Sequence, residues 1–247
     1  MWSNVVSIGD ATRDFVLAIA GLLVEKYTPG LVALALFVGL AVASLLYWRQ
    51  VNKQIKTLKW IRSIINGHET PQSFTAAITD IDLAIKDKLK DKSYASVVAA
   101  WTEYRETLVL HGDGEARHLR NSVRPSTFLN LEDLEYGAGF WRIVPGLFVT
   151  IGLFLTFLGL VAALSVMNVK SADPATLQAS LDNLLTTASA KFIMSLTGLA
   201  CSIVFTVVLR IGLGRLEHHI HALCSRVEYL LKFISLEDIA VEQLQAI

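Results

Sequence analysis

Three stretches of this chain carry no charge for long enough to cross a lipid bilayer, and no other feature limits the fold as much. Tyr27 to Trp48 runs for 22 residues between Lys26 and Arg49, with Pro29 and Gly30 near its start and aromatics at both ends. Ile143 to Val169 runs for 27, about 40 Å of helix at a rise of about 1.5 Å per residue. Phe192 to Leu209 is bounded by Lys191 and Arg210, whose long stems are expected to reach the interfaces with their heads in water. Each satisfies the length needed to span the hydrocarbon core, about 20 apolar residues. The apolar content of 53% and mean hydropathy of +0.49 agree with a chain whose solvent is the bilayer.

The sequence therefore predicts an all-α membrane protein. Residues 1–26 form an interfacial amphipathic helix, because the apolar stretch Phe15 to Val24 is too short to span and lacks the flanks of a cleaved signal. The spans are 27–48, 143–169 and 189–213, with a cytoplasmic helical domain over 49–142 and an outer loop over 170–188. A coiled-coil-like helix over 214–247 opens a longer tail. Arg49, Lys53, Lys56, Lys59 and Arg62 follow the first span with no acidic residue among them, which puts that end in the cytoplasm and the N-terminus outside. In the domain between the spans, Asn66-Gly67 closes one helix and Thr70-Pro71 opens the next; His111-Gly112-Asp113-Gly114 separates two more. After Arg215, the residues Leu216, Ile220, Leu223, Val227, Leu230 and Ile234 recur at alternating steps of four and three, a narrow seam that asks for a partner helix from this chain or from a neighbouring copy.

Chemistry is sparse. Net charge is zero, so nothing points to nucleic acid. Cys201 and Cys224 read as buried thiols. Glu217, His218, His219 and His221 cluster after the third span, and His218 and His221 share a helix face, but two ligands do not make a metal site. No nucleophile–base pair, phosphate loop or dinucleotide fingerprint is present. The expectation is a protein that is not an enzyme and holds no metal or cofactor.

The helical step aligns two faces. In the second span, Gly152, Thr156, Gly159 and Ala163 fall within about 60° of one another, with Pro145 on the same side. Small residues let backbones approach, so a packing groove is one reading of this stripe. In the third span, Ser195, Ser202 and Thr206 share a face, whereas Thr197 and Cys201 face away. A membrane hydroxyl often bonds its own helix four residues back, yet three in line form a polar stripe that a ring of such helices would turn toward a lumen. None of the spans has an Asp, Glu or His, the groups a proton relay needs. If this protein moves protons, the titrating carboxylate belongs to another polypeptide.

PGLFVTIGLFLTFLGLVAAL (Pro145 to Leu164) and KFIMSLTGLACSIVFTVVLR (Lys191 to Arg210) resemble the last two spans of the MotA/TolQ/ExbB proton-channel family. Within that family they look most like the A subunit of Zorya anti-phage defence systems. The resemblance implies a homopentamer in a bacterial inner membrane, surrounding a dimer of a small single-span partner, the B subunit, whose membrane aspartate binds the ion. Thr156 and Ser195 would face that aspartate, with Ser202 and Thr206 along the pathway and Pro145, Gly152, Gly159 and Gly198 shaping the helices. No direct nucleic-acid contact is implied; lipid is. Two departures stand out. Energisers of the ExbB/TolQ type often carry glutamate at the outer start of the third span, where this sequence has Ala190 and Lys191, and flagellar MotA has four spans. The expected function is a proton-driven motor ring in anti-phage defence; an ExbB/TolQ-type energiser and a structural scaffold are the alternatives.

Overall fold

The computed structural model describes residues 6–7, 10–15, 21, 27–111, 118–121, 123–165 and 174–233. Three of its helices are long and apolar enough to cross a membrane: α1 (Thr28–Asn66), α4 (Val144–Ser165) and α5 (Pro174–Leu230). Between them lie α2 (Pro71–Asp87) and α3 (Ala95–Glu106). The chain divides into two compact units, one of residues 1–46 and 139–209 and the other of residues 47–138 and 210–247. Most of the expected N-terminal helix, and Ile234 with the tail beyond it, lie outside the described residues; Asp10 to Phe15 are helical and exposed.

In the first unit the spans are apolar over most of their circumference, as suits a helix in lipid. Only 11% of the apolar window of α1 is buried, against 33% in α4 and in α5. Leu31, Leu34, Phe37, Val42 and Leu45 of α1 point outward, as do Phe154, Phe157 and Val161 of α4 and Leu196, Ile203 and Val207 of α5. Such apolar area suits lipid or neighbouring chains. The interior is built from Phe148, Met194, Cys201 and Phe205. Phe205 meets the rings of Phe148 and Trp141 with centroids 6.3 and 6.1 Å away, and Phe148 lies across Gly39 of α1.

The second unit is a small amphipathic assembly. Along α1, Val51, Ile55, Leu58, Ile61 and Ile65 are buried at steps of three and four; along α2, Phe74, Ile78, Ile81 and Ile85 are. Gly67 follows the end of α1, and Thr70 caps α2 through a reciprocal capping box with Ser73 ahead of Pro71. The seam of α5 is covered by the chain itself. Leu216, Ile220, Leu223, Val227 and Leu230 are all buried, Cys224 donates to the Leu129 carbonyl at 3.6 Å, and Arg226 donates to the His68 carbonyl at 2.8 Å. The seam thus finds its partners within its own fold.

Three expectations need correction. The His111 turn was expected between helices, but it stands between two strands: β1 (Leu108–His111) pairs antiparallel with β2 (His118–Asn121), and β3 (Lys232–Phe233) adds parallel to β2. Too few residues separate Thr107, where α3 ends, from that turn for another helix to form, whereas a four-residue hairpin arm fits. Residues 112–117 themselves lie outside the described set. The expected outer loop is helical from Pro174 onward, because proline suits a first helical turn and no breaker follows before the third span, which continues unbroken to Leu230. Lys191, expected to hold its head in water, is 2% exposed.

Candidate functional site

The two aligned faces have different fates. The small-residue stripe of α4 is the face that packs on α5. A Cβ added to Gly152 would lie 2.8 Å from the Met194 carbonyl and 3.1 Å from the Gly198 Cα, so the two backbones touch through paired glycines. Two turns further along, the stem of Lys191 lies over Gly159, where an added Cβ would meet its Cδ at 2.9 Å. The absence of a side chain at Gly159 is what gives a lysine room inside a helix pair. Pro145 is half-buried in the first turn of α4, and Ala163 is half-buried further along.

Thr156 sits between these glycines and is 2% exposed. Its hydroxyl donates to the Gly152 carbonyl at 2.8 Å and reaches the Lys191 carbonyl at 3.2 Å. That carbonyl is four residues before Ser195 on α5, and so is the acceptor a Ser195 hydroxyl would use to bond its own helix.

The hydroxyl stripe of α5 lies off the packed face. Met194, Thr197, Gly198, Cys201 and Phe205 are buried, while Ser195 and Ser202 are half-buried and Thr206 is exposed. Thr197 and Thr206 donate to the carbonyls four residues back, Ile193 and Ser202, each at 2.8 Å. Among the described residues, the Ser195 and Ser202 hydroxyls make no hydrogen bond.

His218 and His221 are exposed, His218 stacks edge-on to His219 with centroids 5.7 Å apart, and no group of three metal-ligating side chains exists among the described residues. Cys201 and Cys224 are both buried free thiols. What sequence reasoning missed is the burial of Lys191 and the contact of Thr156 with its carbonyl. The signal was Gly159, seven residues after Gly152 on the same face, with a lysine at the start of the next span.

The paired-glycine crossing, with hydroxyls on its flank, occurs in a chain that matches a known family over nearly its whole length. The family of the anti-phage protein ZorA, Zorya type I system, matches residues 19–238. The chain belongs to this family. It is therefore an anti-phage defence protein of the Zorya kind, and a membrane protein by its three spans. No match is found among curated proteins. In this ZorA-like chain the matched region takes in all three spans, the helical unit between the first two, and the buried seam after the third.

Proposed function

We propose that this ZorA-like chain is the ring-forming channel subunit of an ion-driven motor, and that the ring surrounds a partner dimer whose membrane carboxylate carries the ion. The observation that carries this reading is the pair of serine hydroxyls, Ser195 and Ser202, without internal acceptors on a half-covered face of a membrane helix. A buried hydroxyl without a partner costs about 1–3 kcal/mol, and lipid offers none. A companion helix or a water-filled lumen does. The spans contain no acidic residue or histidine, so the titrating group comes from the partner, and this chain supplies hydroxyls that hydrate and orient it.

The proposed assembly is a pentamer in the bacterial inner membrane, with the N-terminus outside and the large helical unit in the cytoplasm. Residues Arg49, Lys53, Lys56 and Lys59 support that orientation. In it, Ser195, Ser202 and Thr206 line the path, and Thr156 acts beside them at the helix crossing. The chain is a conduit and a moving part, not a catalyst. The test is proton flux in vesicles containing the ring and its partner, together with the native mass of the complex. Ser195→Ala with Ser202→Ala is expected to lower flux at least about tenfold, the loss of two hydrogen bonds of about 1 kcal/mol each, while the mass stays that of a five-copy ring. Unchanged flux in that variant refutes the role of these hydroxyls.

A further inference from the structure

In the second unit a groove of about 470 Å³ lies between α5 and residues 126–132. Its lining is apolar where it is buried, at Leu129 and Ile220, and acidic where it meets solvent, at Glu132 and Glu217. Such a surface suits a long cationic side chain, whose methylene stem lies on apolar atoms while its head reaches a carboxylate. Side chains of that kind stand on another face of the same unit. Each residue of a helix advances about 100°, which groups Arg49, Lys53 and Lys59 within about 60° of Lys56 on α1. All four are exposed, and α1 holds no acidic residue. Among the described residues, Glu132, Glu217, Lys56 and Lys59 enter no ion pair.

A single copy does not bring the two surfaces together. His219 is half-buried with Lys59 and Arg62 of α1 and with Arg215 and His218 of α5 around it, so it marks the side of α5 turned to α1. Glu217, two residues earlier, points about 200° round the helix from His219. The groove therefore opens away from the α1 of its own chain. Surfaces of opposite charge on opposite sides of one unit pair only between copies, the groove of one on the lysines of the next. A contact of this head-to-tail kind closes into a ring when the rotation from copy to copy divides a full turn.

We propose that the groove receives the basic face of α1 from a second copy of this chain, with Lys56 and Lys59 of one copy on Glu132 and Glu217 of its neighbour. The inference rests on the ring reading given above and names a contact that closes the ring. An exposed ion pair contributes little by itself. Here the stems cover Leu129, Leu131 and Ile220, the contact recurs at every interface, and the charges fix which surfaces meet.

Two experiments on the full-length chain purified from membranes in detergent test it. A zero-length carbodiimide is expected to join Lys56 or Lys59 to Glu132 or Glu217 within covalent dimers, read by peptide mass spectrometry. The second experiment reverses charge. Glu132→Lys with Glu217→Lys inverts the groove, and Lys56→Glu with Lys59→Glu inverts the face. Each pair is expected to raise the protein concentration at which half of the rings dissociate roughly tenfold to thirtyfold, and all four substitutions in one chain to return it to within about threefold of wild type. A folding defect does not recover when the two pairs are combined. If the native mass is that of a five-copy ring and neither pair shifts dissociation, or the combined variant stays as weak as the pairs, the interface is overturned and the ring stands. Cross-links from Glu132 and Glu217 to a different polypeptide in place of a second copy overturn it as well. A wild type with the mass of one copy refutes the ring and this contact together.

Discussion

Gly152→Ala offers a direct measure of how closely the second and third spans approach. The added Cβ would stand 2.8 Å from the Met194 carbonyl oxygen and 3.1 Å from the Gly198 Cα. Ordinary contact begins near 3.4 Å, so the methyl intrudes by 0.6 and 0.3 Å on two backbone groups that have no rotamer to change. The helices must part. Overpacking of this kind costs about 1–3 kcal/mol, against which alanine returns up to about 1 kcal/mol of helix propensity. Gly146→Ala, on the same helix with nothing within 4 Å of the new methyl, has the propensity gain without the clash. The difference between the two variants isolates the clash, about 1–3 kcal/mol, or roughly 2–12 °C in melting midpoint for a chain of this size. Thermal unfolding of both variants in the same detergent measures it. If Gly152→Ala melts with Gly146→Ala, the glycine faces do not meet and the crossing described here is wrong.

Other consequences concern the helical unit outside the spans. Tyr104 accepts from the Asn121 side-chain amide at 2.6 Å in a buried setting; Tyr104→Phe leaves that amide without its acceptor and is expected to cost about 1–3 kcal/mol in thermal unfolding. Trp101 is fully buried with an indole N–H that meets no acceptor, so Trp101→Phe gives up volume but removes an unmet donor and should cost less than Trp101→Leu in the same assay. The Tyr136 phenol is held near 12 by burial, above its ordinary 10. The unfolded chain ionises first, so this contribution to stability is intact below pH 10 and is lost as pH rises through 12, about 2–3 kcal/mol in all; alkaline unfolding of Tyr136→Phe should lack that portion of the pH dependence.

The architecture was legible wherever a single physical rule dominates. Charge-free length gave the three spans, because hydrocarbon tolerates no exception. Asn66-Gly67 and Thr70-Pro71 gave the end of α1 and the start of α2, because capping is local chemistry. The alternating steps of four and three in the last part of α5 named its buried face. What escaped was decided by tertiary neighbours. Strands β1 and β2 are four residues each, too short for a periodicity to register, and β3 joins them from more than a hundred residues away. Lys191 followed the rule for a flanking lysine until Gly159 opened a place for its stem. At the site, helix geometry grouped Gly152, Thr156 and Gly159 on one face and Ser195, Ser202 and Thr206 on another. It could not say which face the partner span would cover.

The proposed function, taken with that division, assigns Thr156 a role distinct from the one its type suggests. A helical carbonyl has two lone pairs, one of which receives the backbone N–H four residues on. At Lys191 the second faces the Thr156 hydroxyl at 3.2 Å, which shares its one proton between this carbonyl and that of Gly152 at 2.8 Å. Under the proposed reading, that shared contact competes with Ser195 for the carbonyl four residues back, the kind of acceptor that Thr197 and Thr206 use on the same helix, and so leaves the Ser195 hydroxyl for a partner. Thr156→Val nearly preserves volume at the crossing but vacates the Lys191 carbonyl, and Ser195 can then turn onto it. The expected outcome is an intact complex of native mass whose proton flux falls roughly threefold to tenfold, the worth of one hydrogen bond of about 1 kcal/mol. Thr156→Ser, which retains the donor, should pass protons as wild type does. The two variants differ by a hydroxyl in a buried place, so a packing defect predicts the reverse order, with the smaller serine worse than valine. Equal flux in both would mean that Thr156 serves packing alone and that Ser195 does not depend on it.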